Sequence, residues 1–455
     1  MDERKVTLWV AALGAFVAPF MGSSFNIALP SIGKEFSAGA VILGWLATLY
    51  LLASAVFLVP FGKLADIYGR KRIFLAGLTV YSIASILCGL TTSLRVFMVL
   101  RILQGMGAAA IFGTGVAILT SVFPPDERGR ALGINVSSTY LGLSSGPFLG
   151  GLMTQYLGWR SVFFLNAFIS LLAAGVTLSK LKGEWRGDPK GKFDLTGFFV
   201  YAIALSSFIY GFSRLPHEVG WLLTGLGIVT LFFFVWWENR EQSPLLSMRL
   251  FRGNPAFTFS NLAALINYSA THAVSFILSL YLQYVRGFLP GKAGTFLVAQ
   301  PIVMAFLSPL AGRASDWVEP RILASSGMAV IVVGLLLLSS LGQNSPIEFL
   351  LAVLAFLGVG FAFFSSPNTN AVMSSVDKRF YGVASATLAT MRLTGQMLSM
   401  GIATMVLNLF LGNAPVNFQT LPAFMKAMKV LFYFFALLCF GGIFASLARG
   451  NVREA

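Results

Sequence analysis

The sequence predicts an all-α polytopic membrane protein: two six-helix bundles related as diverged copies, two additional transmembrane helices between them, fourteen spans in all, and both termini cytoplasmic. Three observations predict it. Of the 455 residues, 56% are hydrophobic and only 11% are charged, where a soluble chain carries roughly 25% charged residues. Apolar runs of the ~20 residues needed to cross a bilayer recur along the whole length. Landmarks of the first half return in the second at matching intervals: Gly62 stands four residues before Asp66 and Gly312 four before Asp316, while Gly129 is 13 before Gly142 and Gly382 is 13 before Gly395. Repeats of this kind are the usual build of a transporter with its site at the repeat interface.

Taken in order, spans 1 to 6 fall at about 7–30, 40–61, 73–91, 96–120, 131–157 and 162–178. Spans 7 and 8 fall at about 195–212 and 219–237, bracketed by two long polar linkers, 180–194 and 238–255. Spans 9 to 14 follow at about 256–285, 293–312, 322–341, 347–374, 383–411 and 430–447. The expected division is therefore 1–180 as an N-terminal bundle, 181–254 as linkers and extra spans, and 255–455 as a C-terminal bundle. With the N-terminus inside, most of the 32 Lys and Arg fall on cytoplasmic segments, which sets this orientation.

The net charge of +15 reads as attraction to anionic lipid, not to nucleic acid. Cys88 and Cys439 each lie inside an apolar run, so a disulfide framework or metal cluster has nothing to build on. No cofactor is implied, and a monomer is expected. The first apolar run is too long for a signal-peptide core and is read as a retained span.

The polar stretch 62–72 joins spans 2 and 3. Gly62 and Gly69 permit close approach or a sharp turn, Asp66 is a fixed negative charge suited to a helix N-terminus, and Arg70 leads a basic run. The stretch reads either as a conformational latch or as a basic loop that only sets topology. Asp66 is expected to cap the start of span 13 near 382–384. In span 4, Arg101 is expensive in lipid; it either snorkels from the span's end or faces a cleft together with Gln104. In span 5, Gly142, Gly146 and Gly150 recur every four residues and make a smooth packing face, and Pro147 removes a backbone hydrogen bond; this reads as a hinge or as plain packing. The Gly142–Gly146 run also fits a nucleophile-elbow pattern but sits mid-span without its turn or partners, so it is rejected.

Span 9 places Asn261, Tyr268, His272, Ser275 and Ser279 at helical spacing on one face. His272 reads as a packing residue or as a titrating group. Asn26 in span 1, and Asn368 and Asn370 in span 12, are further cleft candidates. Arg392 in span 13 is too deep to snorkel easily and should face protein or water.

Together these residues resemble the major facilitator superfamily and, within it, the fourteen-span drug:proton antiporter branch. The stretch 62–72 is similar to the loop motif between spans 2 and 3, which implies a conformational switch at Gly62, Asp66, Gly69 and Arg70. Arg101, Gln104, Gly105 and Gly107 match the span 4 motif linked with proton coupling. Gly142, Gly146, Pro147, Gly150 and Gly151 match the span 5 motif of antiporters. Tyr281, Leu282 and Gln283, and Arg392 with Gly395, look like further branch signatures. The resemblance implies spans 1, 4, 9 and 12 around the cleft; with the polar residues read above, this gives Arg101, Gln104, His272 and Arg392 as coupling candidates and Met21, Asn26, Asn261, Tyr268, His272, Asn368 and Asn370 as substrate-contact candidates. Met21 is a departure, since the branch usually places an acid there.

The function expected is secondary active transport by alternating access, as a proton-coupled exporter of amphipathic small molecules. The alternative is export or flipping of an anionic or lipid-like molecule without classical proton antiport, because the buried charges Arg101 and Arg392 are both positive. A non-transporting receptor or scaffold is more remote, and a membrane enzyme lacks any supporting motif.

Overall fold

The computed structural model describes residues 3–187, 191–215, 217–241, 244–245, 251, 253–315, 317–376, 381–412, 414, 416–417 and 419–450. Asp316, one of the repeat landmarks, lies outside them. The first six helices are α1 (Glu3–Phe36), α2 (Ala40–Tyr68), α3 (Arg70–Leu90), α4 (Leu94–Val122), α5 (Pro125–Tyr156) and α6 (Arg160–Lys180). The pair α7 (Leu195–Ser213) and α8 (Glu218–Glu238) follows. Then come α9 (Pro255–Leu280), a π-helical turn (Tyr281–Val285), α10 (Pro290–Leu297), α11 (Ala299–Ala314), α12 (Pro320–Ser339), α13 (Ile347–Ser374), α14 (Tyr381–Leu411) and α15 (Leu421–Leu447). No strand occurs among the described residues.

Among the described residues, thirteen stretches are long and apolar enough to cross a membrane, with α10 and α11 together making one of them. The exception among the expected spans is α5, a 32-residue helix whose first turn carries Asp126, Glu127 and Arg128. The protein is an integral multi-pass membrane protein, since helices that satisfy their own backbone groups are what an apolar solvent permits.

The same neighbour pattern appears twice. In the first set α1 packs on α5, α2 on α4, and α3 on α4 and α6; in the second α9 packs on α14, α11 on α13, and α12 on α13 and α15. Glycines explain why these pairs approach. A Cβ on Gly77 of α3 would stand 3.0 Å from the Gly107 carbonyl of α4, and one on Gly107 2.9 Å from the Gly77 carbonyl. In the second set, Gly327 of α12 and Gly360 of α13 face each other the same way, at 2.7 and 2.9 Å. Likewise a Cβ on Gly142 of α5 would stand 2.6 Å from the Phe16 carbonyl of α1, and one on Gly395 of α14 2.6 Å from the Leu265 carbonyl of α9. Lipid gives helices no hydrophobic reason to associate, so backbone contact through small residues carries the packing.

The extra pair has local stops and starts of its own. Asp194 caps α7 by accepting the Gly197 N–H at 2.8 Å, and its other oxygen takes the Trp237 indole N–H at 2.9 Å, which ties the end of α8 to the start of α7. Gly211 and Gly227 bring the two helices together, and α7 also lies against α2 and α14. Asn254 caps α9 through the Phe257 N–H at 2.9 Å, with Pro255 in the first turn, where its missing N–H costs nothing.

Call the face where α1 starts and α15 ends the terminal face, and the opposite one distal. The two sets are sealed together at the distal face. Ser279 Oγ donates to the Asn26 carbonyl (2.7 Å), Gln283 Nε2 to the Ile27 carbonyl (3.0 Å), Tyr284 Oη to the Pro30 carbonyl (3.2 Å), and the Gly291 N–H to Gln155 Oε1 (3.1 Å). Gly151 of α5 sits 2.6 Å from the Pro290 carbonyl. The π-helical turn puts Gln283 and Tyr284 side by side against α1.

The mirrored glycine contacts make a test. Gly107→Val and Gly360→Val are each expected to destabilise the folded protein by about 1–3 kcal/mol, since neither facing backbone can retreat. Gly175→Ala, whose Cβ would meet nothing within 4 Å, is expected to be neutral or stabilising by under about 1 kcal/mol. Thermal unfolding of the three purified variants, followed by loss of the monodisperse chromatographic peak, checks this.

Candidate functional site

Five helices from both sets converge on one group of side chains. The Arg392 guanidinium of α14 lies over the Tyr268 ring of α9, 5.1 Å from its centre, a cation–π distance. Tyr140 of α5 meets Ser365 Oγ of α13 at 3.4 Å, lies in hydrogen-bonding reach of Ser308 on α11, and feels the charge of Arg392. Arg392 and Tyr268 are half-buried, and Arg392 Nε is shielded from solvent with no hydrogen-bond partner. His272 is half-buried one turn after Tyr268, so the two share a face of α9. Among the described residues no Asp or Glu lies in the middle of a helix of either set.

Arg101 does not join this group. It is 1% exposed, inside the first set. Its Nε donates to the Leu46 carbonyl at 3.1 Å, an Nη donates to Gln104 Oε1, and Gln104 in turn donates to Ser85 Oγ at 2.7 Å. The rings of Phe25 and Tyr50 lie 4.0 and 4.4 Å from the guanidinium carbon. The expectation of a snorkelling or cleft-facing Arg101 is therefore corrected: a carbonyl, an amide and two π faces absorb the charge where it stands.

The other sequence candidates divide. Met21 is wholly buried on α1. Its neighbour Gly22 has open space where a Cβ would be and lies one turn before Asn26, which meets α9 through its carbonyl. A step of one residue turns a helix by about 100°, so the open position is 22 and not 21. Asn261 and Asn368 are 1% and 2% exposed and belong to packing inside the second set. Asn368 Nδ2 donates to the Ser260 carbonyl (3.2 Å) and Asn261 Nδ2 to the Phe257 carbonyl (2.9 Å). Asn370 ties α13 to the end of α11 through Ser315 Oγ at 2.9 Å. Asn26, 7% exposed, lies in the distal seal.

On α5 the packing reading of the glycine face describes this arrangement. Ser23 and Ser24 of α1 donate to the Gly142 and Gly146 carbonyls at 3.3 and 3.0 Å, and Gly150 lies against Ser24. The Pro147 carbonyl abuts Gly294 of α10, and the missing N–H at position 147 leaves the Leu143 carbonyl, one turn earlier, without its helical donor.

The loop between α2 and α3 is held from an unexpected side. Asp66 accepts from Arg70 Nε and Nη2 at 3.0 and 2.8 Å, and Arg70 Nη1 donates to the Ala117 carbonyl (3.0 Å) and Ser121 Oγ (2.7 Å) of α4. The Asp66 carboxylate is thus engaged within the first set, not at the start of α14. The N-terminus of α3 is instead capped by Glu184 of the linker after α6: its Oε1 accepts the Lys71 N–H at 3.0 Å, and the Trp185 carbonyl accepts the Arg70 N–H at 2.9 Å. Lys71 Nζ donates to the Leu181 carbonyl. Gly69 has φ +121°, and a Cβ there would collide with Glu184. Gly62, by contrast, has nothing within 4 Å of a would-be Cβ, while its backbone nitrogen lies toward Gly113 of α4.

The sequence profile of the Major Facilitator Superfamily matches residues 11–400. The chain belongs to the Major Facilitator Superfamily. Within this superfamily it is 28% identical over 450 residues to the riboflavin transporter RibZ of Clostridioides difficile, covering 97% of each chain. It is 30% identical over 411 residues to the multidrug resistance protein Stp of Mycobacterium tuberculosis, covering 89% of this chain and 76% of that one. Among solved structures, a bacterial homologue of the human lysosomal transporter Spinster, in an inward-facing and unoccupied conformation, superposes with a TM-score of 0.72 at 19% identity, covering 99% and 97% of the two chains; this shows the shared fold. The protein is a major facilitator transporter, not an enzyme, and its relatives include drug-efflux proteins.

Close packing on α5 has a consequence for activity. Gly146→Leu would drive a side chain into Ser23 of α1. We expect the variant to insert in the membrane yet lose at least about tenfold in transport rate, the equivalent of 1–3 kcal/mol of overpacking at the α1–α5 contact. Flux in proteoliposomes, normalised to inserted protein, checks it.

Proposed function

We propose that this transporter exports neutral or anionic amphipathic small molecules by alternating access. The observation that carries the reading is Arg392: it is the charged side chain at the convergence of α5, α9, α11, α13 and α14, with no mid-helix acid near it among the described residues. An unpaired cation in a low-dielectric cleft raises the local concentration of anions and disfavours cations. In this reading residues 1–180 and 255–455 are the two rocking bundles, and 181–254 carries the added pair. The terminal face is taken as cytoplasmic, a reading supported by the excess of Lys and Arg on its connections. The distal seal then makes this arrangement the inward-facing one, with substrate taken from the cytoplasmic side.

A second reading, proton-coupled export of multiple drugs including cations, draws support from the resemblance to the drug:proton antiporter branch and from the multidrug relative. His272 is its proton carrier, since it shares the cleft face of α9 with Tyr268 and is the histidine within a helix. A monomer, in contact with membrane lipid, suffices for either reading.

The deciding experiment is flux into proteoliposomes over a panel of anionic, neutral, monocationic and dicationic amphiphiles, with and without a pH gradient. Anionic and neutral members are expected to be moved and permanent dications refused. Arg392→Gln is expected to slow the anionic member about tenfold or more, the worth of one lost charged hydrogen bond, and to leave the neutral one within about twofold. Efficient dication transport that responds to the pH gradient would favour the second reading.

The α1 geometry adds a sharper variant pair. Gly22→Asp is expected to place a carboxylate in open space and to gain affinity for a monocationic dye. Met21→Asp would bury one, with a cost of several kcal/mol in stability unless the acid is protonated. Dye titration and thermal unfolding of the two variants separate these outcomes.

A further inference from the structure

A cavity of about 330 Å³ lies at the distal end of the seam between the two sets, where α7 meets it. Its walls include Ile42 and Trp45 of α2, Met98 of α4, Tyr210 of α7 with the C-cap residue Arg214, and Asn408 of α14. Each stands within about two turns of the distal end of its helix. The cavity borders the closed part of the seam. A Cβ on Gly44 of α2 would stand 2.5 Å from Thr404 Oγ1 of α14; Trp45 is the next residue on the first helix and Asn408 one turn on along the second.

Donors without acceptors gather in this lining. The Arg214 guanidinium lies 5.3 Å from the centre of the Tyr210 ring, and that ring lies 5.6 Å from the Trp45 ring. The guanidinium, the Trp45 indole N–H, the Tyr210 hydroxyl and the Asn408 amide have no hydrogen-bond partner in the protein among the described residues. Arg214 is the one charged residue of the lining. Glu218, one turn after it, is exposed and forms no ion pair with it. Apart from Ser213, whose hydroxyl donates to the Tyr210 carbonyl at 2.8 Å, the rest of the wall is apolar. A cation and three neutral donors with no acid beside them suit an acceptor-rich anion. The apolar wall suits hydrocarbon, and the helix ends put both at the membrane boundary, the depth at which Trp and Tyr settle. A phosphate joined to acyl chains satisfies all of these, whereas a free phosphate satisfies only the first.

We propose that this cavity is a binding site for one anionic phospholipid of the leaflet on the distal side, with its phosphate at Arg214, Trp45, Tyr210 and Asn408 and the first carbons of its chains against Ile42 and Met98. The volume is at the small end of the roughly 300–1,000 Å³ that holds whole small ligands, so it takes the head group and the start of the chains. Tyr210 is 40% exposed, which leaves the outer wall open to the lipid that carries the rest. The bound lipid is a resident and not the transported molecule. Because its walls come from α2 and α14 as well as α7, it bridges the seam on the side where the two sets are sealed.

The test uses the full-length protein in dodecyl maltoside, titrated with dioleoylphosphatidylglycerol or with dioleoylphosphatidylcholine, and native mass spectrometry counts the bound lipids. The first phosphatidylglycerol is expected to bind at least about tenfold more tightly than the first phosphatidylcholine, the worth of one charge-assisted hydrogen bond. Arg214→Gln is expected to erase that preference and Arg214→Lys to keep most of it. Ile42→Trp and Met98→Trp, which fill the cavity from different helices, are each expected to weaken phosphatidylglycerol about tenfold, with thermal unfolding showing which variants are folded. Lys292→Gln removes an exposed cation of α10 at the same face but outside the cavity, and is expected to change nothing. Equal affinity for the two lipids, a preference that survives Arg214→Gln, binding untouched by a folded filling variant, or an equal loss in Lys292→Gln overturns the proposal. Displacement of the lipid by excess inorganic phosphate also overturns it, since the cavity would then be a site for a free anion.

Discussion

Backbone-to-backbone approach is the constraint on which the rest of the structure depends. In lipid the spans gain nothing by hiding apolar side chains from one another, so the sets cohere where glycines let one helix touch another's carbonyls. Gly77 with Gly107, and Gly327 with Gly360, fasten the same pair of helices in each set. Gly142 and Gly395 do the same for the pairs α1–α5 and α9–α14. The second of these contacts also sets the central site: a Cβ on Gly395 would stand 2.9 Å from the Tyr268 Cβ, so only glycine lets that ring sit beneath Arg392, three residues earlier on α14. Packing and site geometry are one arrangement here.

Charge is handled differently in the two halves. Arg101 is enclosed by acceptors and aromatic faces belonging to its own set, so its field is spent locally. Arg392 has one aromatic face and a buried Nε without an acceptor. Two arginines set within helices thus have unlike electrostatic reach, and the difference arises from their neighbours: the Leu46 carbonyl accepts from the first, and no carbonyl does so for the buried Nε of the second among the described residues.

The fold was legible because its signals are repetitive and local: apolar length, the interval between glycines, and the basic connections. The duplication was readable from Gly142 and Gly395, and the pair Gly327 and Gly360 could have been found by extending the same offset. The site was less legible. Arg392 and Tyr268 stood out as a charge and a phenol within apolar helices, but Tyr140, Ser308 and Ser365 are ordinary mid-helix hydroxyls whose importance comes only from convergence of distant helices. The asparagines misled for a related reason: a buried amide bonds backbone as readily as it lines a cleft, Asn261 within its own helix and Asn368 across to α9. Met21 sits in the right stretch one position off the open face. Glu184 carried no signal at all, since a linker acid acquires meaning only when it reaches a helix start more than a hundred residues earlier.

That linker contact also fixes who owns the extra helix pair. Glu184 and Trp185 hold the chain against α3, and Gly187 lies beside Asp66. From there the covalent path to the Asp194 cap of α7 is seven residues, at most about 25 Å when fully drawn out. A leash that short keeps α7 and α8 on the flank of their own first bundle. In the rocking proposed above, this tether predicts that the pair stays with the first set and that its contact with α14 is the one that gives way.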